Sequence, residues 1–109
     1  MNAEQIKLLN KMKKLIRDGK RRFELRGDRD YILDLLDLGI TEEKAWGEIL
    51  LLNAYFYVVD YKPSYKKSSN SLVFKKEINH IMAYIKLKIE IGNDEEIVVC
   101  LSFHRDKVR

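Results

Sequence analysis

The chain has 109 residues, of which 46% are hydrophobic and 35% are charged, and its net charge is +4. These values predict one domain over residues 1–109 with its own core, and they exclude an intrinsically disordered chain. The single cysteine, Cys100, excludes an intrachain disulfide and a cysteine-only metal site. No apolar run reaches the ~18 residues of a membrane span, and the first residues do not resemble a signal peptide, so we expect a cytoplasmic protein without membrane contact.

The charge is unevenly distributed along the chain. Residues 1–29 carry a net charge of +6, residues 30–61 a net charge of −6, and residues 62–109 a net charge of +4. This asymmetry favours a polyanionic partner near the basic segments, with nucleic acid the leading candidate and an anionic membrane surface a weaker one. Basic residues that only solvate a helix would produce the same pattern.

Helices are predicted in the first half of the chain. Apolar residues recur at helical spacing from Ala3 to Ile16, and Gly19 stands where that helix would end. Residues 23–25 then form either a short strand or an extended link. This first helix buries one stripe and presents lysines elsewhere.

Two further helices are predicted in the acidic middle segment. Asp28 is the predicted N-cap of a helix that runs through Leu38 and ends at Gly39. Thr41 is the predicted N-cap of the next helix, in which Trp46 is expected in the core. The middle segment is therefore predicted to be a helical hairpin.

From residue 55 onward the composition becomes typical of strands. Residues 55–61 predict the first long strand, residues 66–71 a loop, residues 72–76 another strand and residues 77–80 a short connection. Three alternating tyrosines on the first strand predict either a base-stacking surface or a packing face: Tyr55, Tyr57 and Tyr61.

The last quarter of the chain predicts an antiparallel hairpin. Residues 83–91 and 97–104 alternate with period two on either side of a turn-like segment, residues 92–96. The alternation assigns one apolar set to the core: Ile85, Leu87, Ile89, Ile91, Ile97, Val99, Leu101 and Phe103. Helices followed by strands predict an α+β fold, with N-terminal helices packed on a C-terminal antiparallel β-sheet.

The other face of this hairpin collects titratable side chains. A five-residue loop places Tyr84 opposite His104, at a Cβ separation of roughly 4.5–5.5 Å. The same register places Lys86 opposite Ser102, and by parity Cys100 lies on this face as well.

The sequence lacks the motifs of several other chemistries. The five glycines are isolated, so a phosphate-binding loop is not predicted. The two histidines, His80 and His104, are too far apart for a recognisable zinc motif, and Ser102 lacks a nucleophile elbow. We therefore predict no metal site and no cofactor.

Metal-free RNA cleavage is a reaction that uses such a set of groups. It needs a base near the ribose 2′-hydroxyl, a proton donor for the departing 5′-oxygen and cations for the phosphate. His104 is a candidate base or acid, and Tyr84 is a candidate hydrogen-bonding partner or proton relay. The candidate cations are Lys62, Lys75, Lys86 and Arg105. A solvated sheet face would carry the same residues.

Four short motifs in this order resemble the MqsR family of toxin RNases, which has a RelE-like fold and belongs to toxin–antitoxin systems. They are Asp60-Tyr61-Lys62, Leu72-Val73-Phe74-Lys75, Ala83-Tyr84-Ile85-Lys86-Leu87 and Leu101-Ser102-Phe103-His104. The resemblance implies a metal-independent endoribonuclease that acts on messenger RNA and is neutralised by a cognate antitoxin. RNA and the antitoxin are thus the expected partners, and dependence on the ribosome stays open.

The resemblance also implies site residues. It assigns catalytic roles to Tyr84, His104, Lys62 and Lys75, although the family's well-known member has glutamine and lysine where this chain has Lys75 and His104. RNA or phosphate binding is expected of Lys86, Arg105, Lys66 and Lys67. Two alternatives are a non-catalytic RNA-binding module and a protein-interaction subunit that uses the acidic helical hairpin.

Overall fold

The structure is a computed structural model, and it describes residues 1–25, 27, 29–59 and 70–107. The helices are α1 (Ala3–Arg17), α2 (Tyr31–Asp37) and α3 (Glu42–Leu50), with a 3₁₀ turn at Ala54–Phe56. The strands are β1 (Arg21–Phe23), β2 (Tyr57–Val58), β3 (Ser71–Ile78), β4 (Ile81–Gly92) and β5 (Glu95–Arg105). The helices pack against the sheet, so the predicted α+β fold is confirmed. None of the helices in the described residues is long and apolar enough to cross a membrane.

The five strands form one sheet in the order β1-β5-β4-β3-β2. β2 to β5 pair antiparallel, whereas β1 pairs parallel with residues 98–100 of β5. The C-terminal strands thus form the predicted antiparallel sheet, and β1 from the N-terminal half adds a parallel edge strand that makes the whole sheet mixed. A three-residue strand has too little periodicity to reveal a partner so far along the chain.

The ends of the helices follow from local capping. Gly19 and Gly39 have φ of +79° and +75°, in the left-handed region where glycine is favoured, and they follow α1 and α2 as predicted. Thr41 caps α3 as predicted, because its side chain accepts from the Lys44 amide. The cap of α2 is Asp30, not Asp28, and Asp28 lies outside the described residues.

The core lies between the helices and one face of the sheet, the helix-side face. Each helix contributes fully or almost fully buried side chains, among them Met12 of α1, Leu35 of α2 and the predicted Trp46 of α3. The strands contribute a matching set: Phe23, Leu72, Phe74, Ile85, Leu87, Ile89, Val98, Cys100 and Phe103. The opposite face of the sheet is called the outer face below.

The predicted strand over residues 55–61 was wrong in extent. Tyr55 belongs to the 3₁₀ turn, which Asn53 caps by accepting a hydrogen bond from the Tyr55 amide. The Tyr55 side chain is well exposed. Tyr57 lies in the two-residue β2, opposite Phe74 on the helix-side face. Tyr55 and Tyr57 therefore do not share a strand face, and Tyr61, like the predicted loop up to residue 69, lies outside the described residues.

Two-residue turns close both hairpins of the sheet. Asn79–His80 joins β3 to β4, and Asn93–Asp94 joins β4 to β5, with positive φ at all four residues. Such turns match the twist of the flanking strands. The predicted five-residue loop over residues 92–96 was wrong, because Gly92 and Glu95 pair as strand residues.

A β-bulge interrupts β5 beside the Lys86–Leu87 step of β4. Leu87 pairs with Cys100 and Lys86 pairs with Ser102, which leaves Leu101 as the extra residue. The two-residue turn shifts the pairing of β5 with β4 by one residue relative to the prediction, and the extra residue at the bulge shifts it back. The predicted pairing of Tyr84 with His104 is therefore confirmed, although the loop predicted to produce it is absent.

Between the turn and the bulge, the shifted pairing turns a different set of β5 residues toward the helices than the sequence predicted. Val98 and Cys100 face the helices, whereas the predicted core residues Ile97 and Val99 lie on the outer face. Val99 is nevertheless buried there, as predicted. Ile91, also predicted in the core, is 78% exposed near the turn. Leu101 is only partly buried at the bulge, and the other predicted core residues of the hairpin are buried as expected: Ile85, Leu87, Ile89 and Phe103.

Candidate functional site

Three neighbouring strands bring Lys75, Tyr84 and His104 into one row on the outer face, which is called the Tyr84 row below. Lys75 of β3 is the direct partner of Tyr84 of β4, and Tyr84 is the direct partner of His104 of β5. Side chains in such positions have Cβ atoms roughly 4.5–5.5 Å apart. One bound phosphate group can therefore be reached from all three strands.

The aromatic rings of Tyr84 and His104 are stacked. Their centroids lie 5.4 Å apart and their planes differ by 17°. Both residues are partly buried, so each ring has one packed side and some exposed surface. Stacking limits rotation of the imidazole and keeps it beside the phenol.

A hydrogen bond selects the tautomer of His104. Its Nδ1 lies 2.9 Å from the carbonyl oxygen of Arg105. A carbonyl oxygen only accepts, so the proton must be on Nδ1 and the neutral ring carries its lone pair on Nε2. In this tautomer, Nε2 is the atom that can accept a proton from a substrate hydroxyl.

A second row of the outer face contains Val73, Lys86 and Ser102, which are direct partners in the same order of strands. Val73 is buried, and so is Val99 opposite Lys88. The outer face is thus partly apolar beneath its lysines, whose long stems can cover such side chains. Lys86 lies one pairing row from the stacked rings.

Lys75 forms an ion pair beside the stacked rings. Its Nζ is 3.0 Å from Oδ2 of Asp106, just after β5. The Asp106 amide donates to the Met82 carbonyl oxygen at 2.8 Å, so the chain stays beside β4 past the end of β5. Asp106 was not among the predicted site residues, but period-two alternation from His104 already placed it on the same face.

Arg105 points to the opposite side of the sheet. It pairs with Ala83 on the helix-side face, and its guanidinium donates two hydrogen bonds, of 3.1 and 3.2 Å, to the Asp37 carboxylate. This bond raises the pKa of Arg105 and lowers the pKa of Asp37. The structure therefore does not bring Arg105 together with His104, because adjacent strand residues face opposite ways.

The structure places the other residues considered in the sequence analysis away from the Tyr84 row or does not describe them. Cys100 is buried among the core residues, and burial raises the pKa of its thiol, so its predicted place on the outer face was wrong. The predicted catalytic residue Lys62 and the predicted phosphate-binding residues Lys66 and Lys67 lie outside the described residues. His80 is exposed in the β3–β4 turn, apart from the Tyr84 row.

Two cavities lie near these residues, and neither is lined by Lys75 or Tyr84. A cleft of about 20 Å³ adjoins His104 and is also lined by Tyr31 and Asp34, with room for roughly one water molecule. A wider groove of about 760 Å³ lies at the β1 edge, where both arginines and glutamates line it: Arg21, Arg22, Glu24, Glu42 and Glu43. A substrate at the Tyr84 row would therefore bind on the sheet surface.

Comparison of the sequence with protein-family models and with curated proteins finds no match. In the described part of the chain, no group of three or more histidine, cysteine, aspartate and glutamate side chains is placed to hold a metal ion. The groups available for chemistry at this site are therefore the side chains of the Tyr84 row and its neighbours.

Proposed function

We propose that this protein is an endoribonuclease that cuts messenger RNA without a metal ion, as the toxin of a type II toxin–antitoxin system in the cytoplasm. The observation that carries the proposal is the stacked Tyr84–His104 pair, with Lys75 and Lys86 on the same sheet face. The resemblance of the strand motifs to the MqsR family, with its RelE-like fold, adds the antitoxin as expected partner.

The proposed reaction uses the 2′-hydroxyl of the RNA as nucleophile. Nε2 of His104 accepts the hydroxyl proton, the 2′-oxygen bonds to phosphorus, and the bond from phosphorus to the 5′-oxygen breaks. The Tyr84 phenol gives a proton to the departing 5′-oxygen. Lys75 and Lys86 stabilise the negative charge on the non-bridging oxygens. The products are a 2′,3′-cyclic phosphate and a 5′-hydroxyl end.

The test is cleavage of a long single-stranded RNA in EDTA, with the new ends mapped. We expect discrete cuts by wild type, and a fall of roughly 100-fold or more in His104→Ala, the scale for losing a general acid or base. Tyr84→Phe should fall in the same direction. The matched control is His80→Asn, which changes the other histidine and keeps a residue that tolerates the positive φ of 69° in its turn.

The outcomes separate three interpretations. Equal activity of His104→Ala and wild type would overturn the assigned site. Cuts that appear only in a translating extract would make the ribosome a required partner. RNA that stays intact in both settings but is bound with steep salt dependence would overturn catalysis and favour a non-catalytic RNA-binding module.

A further inference from the structure

Asp106 directly follows β5 and is held both through its backbone and through its side chain. Its amide is held by the Met82 carbonyl oxygen, and its side chain reaches Lys75 on the far side of β4. The Asp106 side chain is only 12% exposed and that of Lys75 is 27% exposed. This ion pair therefore reaches from β3 across β4 to the end of β5 and is partly buried on the outer face.

Such a pair restricts where the lysine can go. A free lysine side chain has high rotamer entropy and samples many positions of its ammonium group. Partial burial against a carboxylate removes most of that freedom. Lys75 is the direct partner of Tyr84, and Asp106 lies two residues past His104, so the carboxylate of Asp106 holds the ammonium group over the outer face between β3 and the end of β5.

We infer that Asp106 is a positioning residue, which holds the Lys75 ammonium group beside Tyr84 for the reaction proposed above; the inference rests on that proposed function. Asp106 acts only through Lys75. Its own negative charge opposes the approach of a phosphate. Removal of this charge therefore leaves RNA binding intact or strengthens it, while the chemical step becomes slower because the cation is misplaced.

A double-mutant cycle tests the inference with Asp106→Asn, Lys75→Met and the double variant. We expect kcat of Asp106→Asn to fall about tenfold or more, with KM unchanged or lower. In the Lys75→Met background, the same Asp106→Asn change should alter kcat less than about twofold. A purely structural role would not produce this split between kcat and KM.

The next residue of β3 provides a matched control. Lys76 lies on the helix-side face and pairs with Glu48 at 2.8 Å, with side chains 14% and 13% exposed. Glu48→Gln thus removes an ion pair of similar burial from the other face, together with the longer contact of 3.7 Å between Glu48 and Lys44. It should leave kcat within about twofold of wild type at temperatures where the variant is folded.

Each outcome is decisive. If wild type cuts RNA and Asp106→Asn has the same kcat, the inference fails while the proposed function stands. If Asp106→Asn is equally harmful with and without Lys75, Asp106 does not act through the lysine and the inference also fails. If wild type cuts no RNA in either buffer or translating extract, both the proposed function and the inference fail.

Discussion

The two faces of the sheet are built from the same strands but have different properties. On the helix-side face, Phe74, Ile85 and Phe103 form one row, and all three are buried. One residue along each strand, Lys75, Tyr84 and His104 form the row of the candidate site. Stability and the candidate chemistry therefore depend on alternating residues, and substitutions on one face should leave the other largely unaffected.

The largest expected difference separates neighbours on β4. Leu87 is buried on the helix-side face, so Leu87→Ala should lower the free energy of unfolding by about 2–5 kcal/mol. Lys86→Ala, one residue earlier on the outer face, should lower it by less than about 1 kcal/mol. Urea denaturation measures both. Equal losses would show that the two faces do not differ in their contribution to stability.

A smaller effect is expected at Gly39, where the helices meet the sheet. Gly39 has φ of +75°, and a Cβ there would lie 3.1 Å from Nδ2 of Asn79 in the β3–β4 turn. That Nδ2 donates to the Leu38 carbonyl oxygen at 2.9 Å. Gly39→Ala should therefore destabilise the protein by about 1–2 kcal/mol, as measured by urea denaturation.

Gly47 is the matched control for this substitution. It lies exposed within α3, and a Cβ there meets no atom within 4 Å. Gly47→Ala should stabilise the protein by about 0.5–1 kcal/mol, because alanine has the better helix propensity. A gain in stability for Gly39→Ala, like the gain expected for Gly47→Ala, would contradict the left-handed backbone and the close approach to Asn79 assigned to Gly39.

The smallest effect is expected from the exposed pair that attaches the end of β5 to α2. The Arg105 guanidinium lowers the pKa of Asp37, so the pair stabilises the fold above the unfolded aspartate pKa of about 3.9. The stabilisation is lost as the pH falls through the lower pKa of the folded state. Asp37→Asn should melt slightly below wild type at pH 7, and the difference in Tm should disappear at strongly acidic pH.

The control for this pH effect is Asp94, an exposed carboxylate in the β4–β5 turn. Asp94→Asn keeps a residue that tolerates its positive φ, so its Tm relative to wild type should not follow the same pH dependence. A Tm difference for Asp37→Asn that persists below pH 2 would contradict the role assigned to its charge.

The sequence predicted the helices well because their signals are local. Thr41 and Gly39 act within a few residues, as an N-cap and as a helix end. The pairing of Tyr84 with His104 was also predicted, but from a loop that the structure does not contain. A two-residue turn with a bulge at Leu101 leads to the same pairing, and period-two alternation alone does not reveal a bulge.

The sequence by itself determined the N-cap of α3, the glycines that end α1 and α2, and the alternation along β4 up to Ile89, because these depend on spacing over a few positions. Only the tertiary structure decided that β1 pairs parallel with β5, that Cys100 faces the core, that Arg105 binds Asp37 and that Asp106 binds Lys75. These contacts depend on the closing of the sheet, which brings together residues far apart in the chain.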